Sequence, residues 1–308
     1  MEYWNETTVT EFFLDGPTDY EELNRLLFPV FLAMYLINLL GNGTIISVIY
    51  VNSQLHTPMY LFLCFLSFLD ISITSVTVPK MLSNMVSDKM TISFSGCLAQ
   101  LYFFVGFTVD ECVLLSIMAF DRYVAICNPL HYITIMNKKV CLSMLFASTI
   151  ISFMHSLLHT LLIYRLSFCK SHKIRHFFCD YIPLLQISCT DTSINMLLLF
   201  TEAAVLVMTP FVIILISYIC IIKTVLKMQS TDGRSKMFST CSSHFIVVTL
   251  FYGSIFFMYF RPSSSYSMEK DKISSMVYNV VSPMFNPFIY SLRNRDVKMA
   301  LKKALQRK

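Results

Sequence analysis

Long apolar stretches separated by short polar segments run along the whole chain. A helix that crosses a bilayer needs about 20 mostly apolar residues. Windows of this kind, which we call spans one to seven, occur at 26–50, 58–79, 98–120, 140–163, 196–222, 238–260 and 273–292. The strands of a membrane β-barrel would be about half as long and would alternate apolar with polar residues, which these windows do not. The pattern predicts an all-α membrane protein, a bundle of seven transmembrane helices.

Composition agrees with this fold class. Hydrophobic residues make up 55% of the 308 residues and charged residues only 14%, whereas soluble domains carry about 25% charged residues. The net charge of +5 is small, and no basic-aromatic run indicates a nucleic-acid partner. Because no repeat or linker divides the chain, we expect a tail at 1–25, one membrane domain at 26–292 and a C-terminal helix or tail at 293–308.

The two ends of the chain carry opposite signals of sidedness. Residues 1–25 lack the pattern of a cleaved signal peptide. Asn5 begins an Asn-Glu-Thr tripeptide, an acceptor pattern for N-glycosylation outside the cytoplasm, which is weak evidence because such tripeptides often arise by chance. Residues 293–308 are basic and fit a short amphipathic helix on anionic lipid, with a solvated tail as the alternative. We expect a plasma-membrane protein with an extracellular N-terminus and a cytoplasmic C-terminus.

Four cysteines fall on the outer side in this orientation. Cys97 lies at the start of span three, and Cys169, Cys179 and Cys189 lie in the loop 164–195. Disulfides persist in the oxidising compartment that such a loop faces. Four cysteines allow three pairings, and spacing does not choose among them.

Ionisable side chains inside the spans are candidates for function, because burying them in a bilayer is costly. They are Asp70, Asp110, Glu111 and Glu202. Residues three or four apart lie on one helix face, which predicts a single stripe along span three. Its members are Phe104, Thr108, Glu111, Leu115, Met118 and Arg122. A similar stripe in span seven contains Asn279, Pro283, Asn286 and Tyr290.

Asp70 and Glu111 both fall near the middle of adjacent spans. Two carboxylates in a low-dielectric interior do not both stay ionised unaided. One solution is a hard cation such as sodium, held by oxygens of Asp70, Glu111 and Asn286. The other is a protonated pair hydrogen-bonded to Asn42, Asn286 and water. The sequence leaves both open.

Several ordered motifs point to a known family. They are "GN" at 41–42, "LHTPMYLFLCFLSFLD" at 55–70, "MAFDRYVAIC" at 118–127, "SYICIIKTVL" at 217–226, "KMFSTCSSHF" at 236–245, "FYG" at 251–253 and "PMFNPFIYSLRN" at 283–294. Through these motifs the chain resembles the odorant-receptor family of rhodopsin-like G-protein-coupled receptors over essentially its whole length. The run after residue 66 is similar to the tetrapod-type branch.

The resemblance implies a receptor, not an enzyme, that binds small, mostly apolar odorants. It implies a membrane-lipid environment and a partner, the olfactory-type stimulatory G protein, that raises cyclic AMP through adenylyl cyclase. It also implies the disulfides Cys97–Cys179 and Cys169–Cys189, and a sodium-type site at Asp70 and Glu111. No other cofactor is expected.

The resemblance places the ligand pocket among spans three, five, six and seven. The matching positions are Phe104, Val105, Thr108, Val109, Cys112, Glu202, Ala203, Leu206, Tyr252, Ile255, Phe256, Tyr259 and Asn279. Glu202 could receive an amine or hydroxyl of the ligand. Alternatively, its neutral side chain bonds to Thr201, Asn195 or His159, and this structural interpretation is the one we favour.

The resemblance also assigns a switch to the cytoplasmic end. Arg122 would be tied to its neighbour Asp121 in the inactive state and freed on activation, when Tyr218 and Tyr290 would swing toward it. An exposed ion pair contributes only about 0–1 kcal/mol, weak enough for a switch. The residues assigned to coupling are Asp121, Arg122, Tyr123, Tyr218, Lys236, His244 and Tyr290.

Two other classes of protein fit less well. A transporter would also bury carboxylates at mid-membrane, but it would usually show inverted repeats and paired broken helices, which this sequence lacks. An enzyme would need a nucleophile with a base or a metal triad. His155 and His159 are one helical turn apart, but no HExxH-type pattern surrounds them.

Overall fold

Helices occupy every predicted span. The computed structural model describes residues 9–87, 89–169, 171–259, 268–293 and 297–300. Spans one to six are the helices Glu21–Val51, Pro58–Met85, Phe94–Cys127, Lys138–Tyr164, Ser193–Leu226 and Thr231–Tyr259. Span seven comprises Met268–Met276, Val277–Val281 and Ser282–Arg293. The prediction of an all-α bundle is confirmed.

Spans five, six and seven depart from plain apolar α-helices. Five of the described helices, those of spans one to five, are long and apolar enough to cross a membrane, and span six contains a shorter apolar helix, Cys241–Phe256. Span five passes through a π-helical segment at Ala204–Met208, and span seven through another at Val277–Val281. A π turn changes the direction of the side chains that follow it, so helical spacing alone cannot orient these two spans.

Local signals explain where several helices begin. Ser93 accepts a hydrogen bond from the backbone N–H of Gly96 at 3.1 Å and caps span three. Asn137 caps span four by accepting from the N–H of Val140, also at 3.1 Å. Pro58 opens span two, where its fixed backbone angle suits the first turn and its missing N–H costs nothing.

Span three lies at the centre of the bundle. It packs against spans two, four and five, while span one packs against spans two and seven. A small residue allows the close approach of span four: a Cβ on Gly106 would lie 2.9 Å from Cε1 of Phe153. Close backbone approach at small residues is how membrane helices gain packing energy without a hydrophobic driving force.

A small sheet closes one end of the bundle. Its strands are β1 (Glu11–Leu14), β2 (Thr91–Ser93) and β3 (Lys173–Ile174), in the order β2-β1-β3. β1 is antiparallel to β2 and parallel to β3. Part of the segment predicted as a tail is therefore a central strand, and span one begins at Glu21 rather than at 26. Asn5 and most of the predicted C-terminal helix lie outside the described residues; residues 297–300 are helical.

Two disulfides reinforce the same end. Cys97 at the start of span three is bonded to Cys179, and Cys169 is bonded to Cys189 across the loop. Both predicted pairings are confirmed. The first bond fastens the long loop over the bundle, and the second closes that loop on itself.

The close approach at Gly106 generates a prediction. Gly106→Ala is expected to lower the melting temperature, because the packed Phe153 ring must move at a cost of about 1–3 kcal/mol. That cost exceeds the roughly 1 kcal/mol that Ala adds to helix propensity. The measurement is thermal unfolding of the detergent-purified protein. Gly43→Ala is the control, since nothing lies within 4 Å of its Cβ position; equal effects in both variants would contradict the argument.

Candidate ligand pocket and switch region

An aromatic cluster lies among spans three, six and seven below the disulfide-bonded loop. The ring of Phe104 contacts Phe178 of the loop at a centroid distance of 4.8 Å and Tyr278 of span seven at 6.1 Å. Phe251 of span six contacts Tyr278 at 5.4 Å and Tyr252 at 5.3 Å. Phe178 precedes Cys179, so the disulfide to span three holds this ring against the bundle.

Three polar groups accompany these rings. The hydroxyl of Tyr278 donates to Oγ1 of Thr108 at 2.7 Å, and that of Tyr252 donates to the carbonyl of Cys112 at 3.4 Å. Asn279 is fully buried, and neither atom of its amide has a partner within the described part of the chain. Buried amides are nearly always hydrogen-bonded, so Asn279 has a donor and an acceptor for a group that is not among the described residues.

Of the predicted pocket residues, Phe104, Thr108, Cys112, Tyr252 and Phe256 take part in the contacts of this region. Val109, Ile255 and Asn279 are buried, and Val105 and Leu206 are partly buried. Phe256 lies 6.2 Å from Tyr252 between ring centroids. The side chains of Ala203 and Tyr259 lie outside the described residues. Glu202 faces a different set of partners on span four.

Sequence reasoning missed four aromatic residues of this region: Phe178, Phe211, Phe251 and Tyr278. Phe211 packs against both Tyr252 and Phe256 at 5.0 Å. No local signal marks these rings, because aromatic residues are frequent in every span. A separate apolar groove lies on spans one, two and four, lined by residues that include Leu61, Phe65 and Phe146. It contains none of the predicted pocket residues.

Glu202 is held by two histidines. Its Oε2 atom lies 2.8 Å from Nε2 of His159 and 2.7 Å from Nδ1 of His155. His159 was one of the three partners considered; the other two are engaged elsewhere, Thr201 with backbone carbonyls of its own helix and Asn195 with Tyr181. His155 was not anticipated as a partner.

Asp70, Glu111 and Asn286 lie together in the middle of the bundle. The amide nitrogen of Asn286 donates to both carboxyl oxygens of Asp70, at 2.9 and 3.0 Å. Glu111 is only 2% exposed and is close enough to Asp70 for electrostatic interaction. The three residues chosen from their positions along separate spans therefore form one buried group.

Asn42 does not bond to these carboxyl groups. Its amide donates to Oδ1 of Asn38 at 2.6 Å and to the carbonyl of Pro283 at 3.3 Å, which ties span one to span seven. The expected contact between Asn42 and the acidic pair is therefore wrong. The Oδ1 atoms of Asn42 and Asn286 are both buried and lack a partner among the described residues.

Asp121, at the other end of span three from the aromatic cluster, has its hydrogen-bond partner outside its own helix. Asp121 accepts a hydrogen bond from the hydroxyl of Tyr132 at 2.9 Å. Within the part of the chain that the structure describes, no ion pair joins Arg122 to Asp121. Consecutive helix residues diverge by about 100°, so the expected pair between these two neighbours is absent from this conformation.

Arg122 is close enough for electrostatic interaction to Asp121 and to the hydroxyls of Tyr218 on span five and Tyr290 on span seven. Tyr218 lies 2.7 Å from Nδ1 of His244, and Nε2 of His244 donates to the carbonyl of Leu115 at 3.2 Å. Spans three, five and six are thus joined by one chain of contacts. The side chain of Lys236 lies outside the described residues.

Comparison with known proteins decides the family. The family model described as "Olfactory receptor" matches residues 31–308. Human olfactory receptor 1L6 is 51% identical over all of this chain and 89% of its own length. Human olfactory receptor 1C1 is 50% identical over 99% of this chain and 97% of its own. The chain belongs to the olfactory receptor family. The crystal structure of squid rhodopsin has a TM-score of 0.66 at 17% identity, over 93% of this chain and 86% of that one.

Membership settles the broad questions raised by the sequence. The receptor is a multi-pass membrane protein of the G-protein-coupled class, with small-molecule ligands in general, and is not an enzyme. The likeness to squid rhodopsin supports the fold alone, and it covers the seven-helix arrangement described above.

The contact between Asp70 and Asn286 yields a stability prediction. Asn286→Ala is expected to lower the melting temperature of the receptor, because leaving a buried carboxyl without its donor costs about 1–3 kcal/mol. The exchange Asp70→Asn with Asn286→Asp keeps an amide facing a carboxyl and should recover most of the loss. Thermal unfolding followed by size-exclusion chromatography measures both. A double variant no more stable than Asn286→Ala would contradict a stabilising contact between Asp70 and Asn286.

Proposed function

We propose that this receptor binds small, mostly apolar odorants among spans three, five, six and seven. The observation that carries the proposal is the aromatic cluster around Phe104, Tyr252 and Tyr278, with the unpartnered amide of Asn279 beside it. Apolar walls with a few convergent polar groups are typical of small-molecule sites. The rings would supply contact area, and Asn279 and Thr108 would orient a polar atom of the odorant.

The disulfide end of the bundle would face the outside of the cell, with the C-terminus in the cytoplasm at the plasma membrane. The two disulfides support this orientation, because such bonds persist in oxidising compartments. The basic residues of 293–308 support it from the other end. Asn5 would then be exposed to glycosylation.

Odorant binding would shift the receptor toward a state that admits the olfactory-type stimulatory G protein, raising cyclic AMP. A ligand shifts such an equilibrium only by its difference in affinity for the two states, and a bound G protein favours the same state reciprocally. Arg122, Tyr218, His244 and Tyr290 would form the responding end, with Asp121, Tyr123 and Lys236 at its edge. Because Arg122 has no bond to Asp121 in this conformation, the aspartate–tyrosine contact with Tyr132 would act as the restraint instead.

The acidic group at mid-membrane would hold a sodium ion. Hard cations take oxygen donors, and the side chains present fit: the carboxyl groups of Asp70 and Glu111, and Oδ1 of Asn286, which is buried and has no partner among the described residues. When bound, the ion would neutralise the negative charge of this group. The protein's own residues orient the oxygens, as the amide of Asn286 does for Asp70.

The receptor proposal is tested by cyclic AMP in cells that express the chain with the olfactory G protein, across an odorant panel. We expect a response to at least one odorant and its loss in Arg122→Ala at matched surface expression. A response that survives Arg122→Ala would contradict the role of Arg122 while leaving the receptor function intact.

Substitutions of proposed pocket residues test, in the same cyclic AMP assay, where the odorant binds. Thr108→Val and Asn279→Leu should each raise the half-maximal effective concentration of the odorant about fivefold, since one lost hydrogen bond costs about 1 kcal/mol. Val212→Ala on span five is the matched control, because Val212 is 46% exposed on the outer surface of the bundle. If all three variants respond like the unaltered receptor, the pocket lies elsewhere.

Sodium binding is tested by stability rather than signalling. The melting temperature of the purified receptor should be higher in NaCl than in KCl at equal ionic strength, because an ion that binds only the folded state stabilises it. Asp70→Asn should remove the difference. A difference that persists in Asp70→Asn, or is absent from the unaltered receptor, would favour the protonated pair.

A further inference from the structure

Two histidines and one glutamate converge between spans four and five. His155 and His159 are four residues apart on span four, so both rings project from one face of the helix. Glu202 reaches toward them from span five. The donor atoms of all three side chains lie within 4.8 Å of one another. The ring nitrogens of both histidines are directed at a single oxygen, Oε2 of Glu202, at 2.7 and 2.8 Å.

Neighbouring side chains enclose most of this group. The side chain of His159 is 2% exposed, that of His155 13% and that of Glu202 25%. The ring of Tyr181, in the loop helix Tyr181–Ile187, stands edge-on to His159 at 4.8 Å. The hydroxyl of Tyr181 in turn accepts a hydrogen bond from Asn195 at 3.2 Å. This packing fixes the orientation of His159 and covers one side of the group.

The presence of one carboxyl group and two imidazole rings within membrane spans needs an explanation. Ionisable groups within spans are costly and usually serve a function. Shared hydrogen bonds satisfy the oxygen of Glu202, but Nδ1 of His159 stays buried without a partner among the described residues. The arrangement therefore brings two nitrogen donors and one oxygen donor to one point.

We propose that His155, His159 and Glu202 form a binding site for a divalent transition-metal ion, Zn²⁺ in the first instance, which joins span four to span five. Two histidine nitrogens and one carboxylate oxygen are a recurrent three-ligand set for Zn²⁺, with the fourth position taken by water or another donor. Imidazole suits Zn²⁺, Cu²⁺ and Ni²⁺, whereas Na⁺, Mg²⁺ and Ca²⁺ prefer oxygen donors alone. The site is separate from the acidic group around Asp70.

The observed geometry is close to what the ion needs. Bonds of about 2.0–2.1 Å in a tetrahedral arrangement place neighbouring donor atoms roughly 3.3 Å apart. The present separations of 2.7 and 2.8 Å are those of hydrogen bonds. Small rotations of the three side chains would lengthen these two separations by about half an ångström and set the two nitrogens, which lie within 4.8 Å of each other, at the same spacing. Binding would displace the protons that these hydrogen bonds now use.

The first experiment measures metal binding by the full-length receptor itself. The receptor is purified without a polyhistidine tag, stripped with a chelator, placed in lipid nanodiscs and titrated with Co²⁺, whose visible absorption reports tetrahedral coordination. We expect saturation at one ion per receptor and displacement by Zn²⁺. Zn²⁺ should also raise the melting temperature in a concentration-dependent manner, because the ion binds the folded bundle preferentially.

Variants connect the signal to the three residues. His159→Ala and Glu202→Gln should each weaken binding at least tenfold. His172→Ala is the matched control, because His172 is exposed in the outer loop and should leave binding unchanged. His155→Cys retains a donor atom, so it should keep the ion and add a thiolate-to-cobalt absorption band in the near ultraviolet. That band can arise only if residue 155 touches the metal, even where the alanine variant folds poorly.

Three outcomes would overturn the proposal. They are the absence of Co²⁺ bands from a folded receptor, equal affinity in Glu202→Gln and the unaltered receptor, and an unchanged near-ultraviolet spectrum in His155→Cys. In each case the three residues would be a proton-sharing group that joins spans four and five through hydrogen bonds alone. Because none of these measurements uses an odorant or a G protein, their failure is distinguishable from failure of the receptor assay.

Discussion

The whole bundle depends on one constraint: an acidic side chain in the membrane must find its partner on another helix. Asp70 of span two is matched by Asn286 of span seven. Asp110 of span three accepts hydrogen bonds from Ser148 and Thr149 of span four, both at 2.7 Å. Since lipid offers no hydrogen bonds, each of these acids fixes the rotation of two helices at once. Polar contacts thus supply the specificity that apolar packing in lipid lacks.

Charged side chains also join separate segments at the disulfide end of the bundle, where water is closer. Lys272 at the start of span seven is almost buried and pairs with Asp15 at 3.3 Å and Asp19 at 2.9 Å. Its hydrogen bond and charge lower the pKa of Asp19 below the usual range. His176 is buried beside Phe178, and burial lowers its pKa to about 3, so this ring is neutral at physiological pH. The loop, the N-terminal strand and span seven are held together by these contacts.

The sequence predicted the features that depend on one helix at a time. Apolar length gave the seven spans, and helical spacing gave the stripe of span three on which Thr108, Glu111, Leu115 and Arg122 lie. Pairings between helices were less accessible, because they depend on the rotation of one helix relative to another. His155 as a partner of Glu202, and Tyr132 as the partner of Asp121, belong to this class. The strand formed by residues 11–14 was missed because its pairing partners are distant in the sequence.

Span three contacts spans six and seven at several levels between the aromatic cluster and Arg122. At successive turns it meets Tyr278 through Thr108, Tyr252 through the carbonyl of Cys112, and His244 through the carbonyl of Leu115. Those two carbonyls belong to a helix whose backbone is already hydrogen-bonded, and each accepts a second donor, at 3.4 and 3.2 Å. Both donors are buried, so a donor that leaves its carbonyl must find another acceptor. Span six thus carries on one helix both Tyr252, which belongs to the aromatic cluster, and His244, which lies against Tyr218.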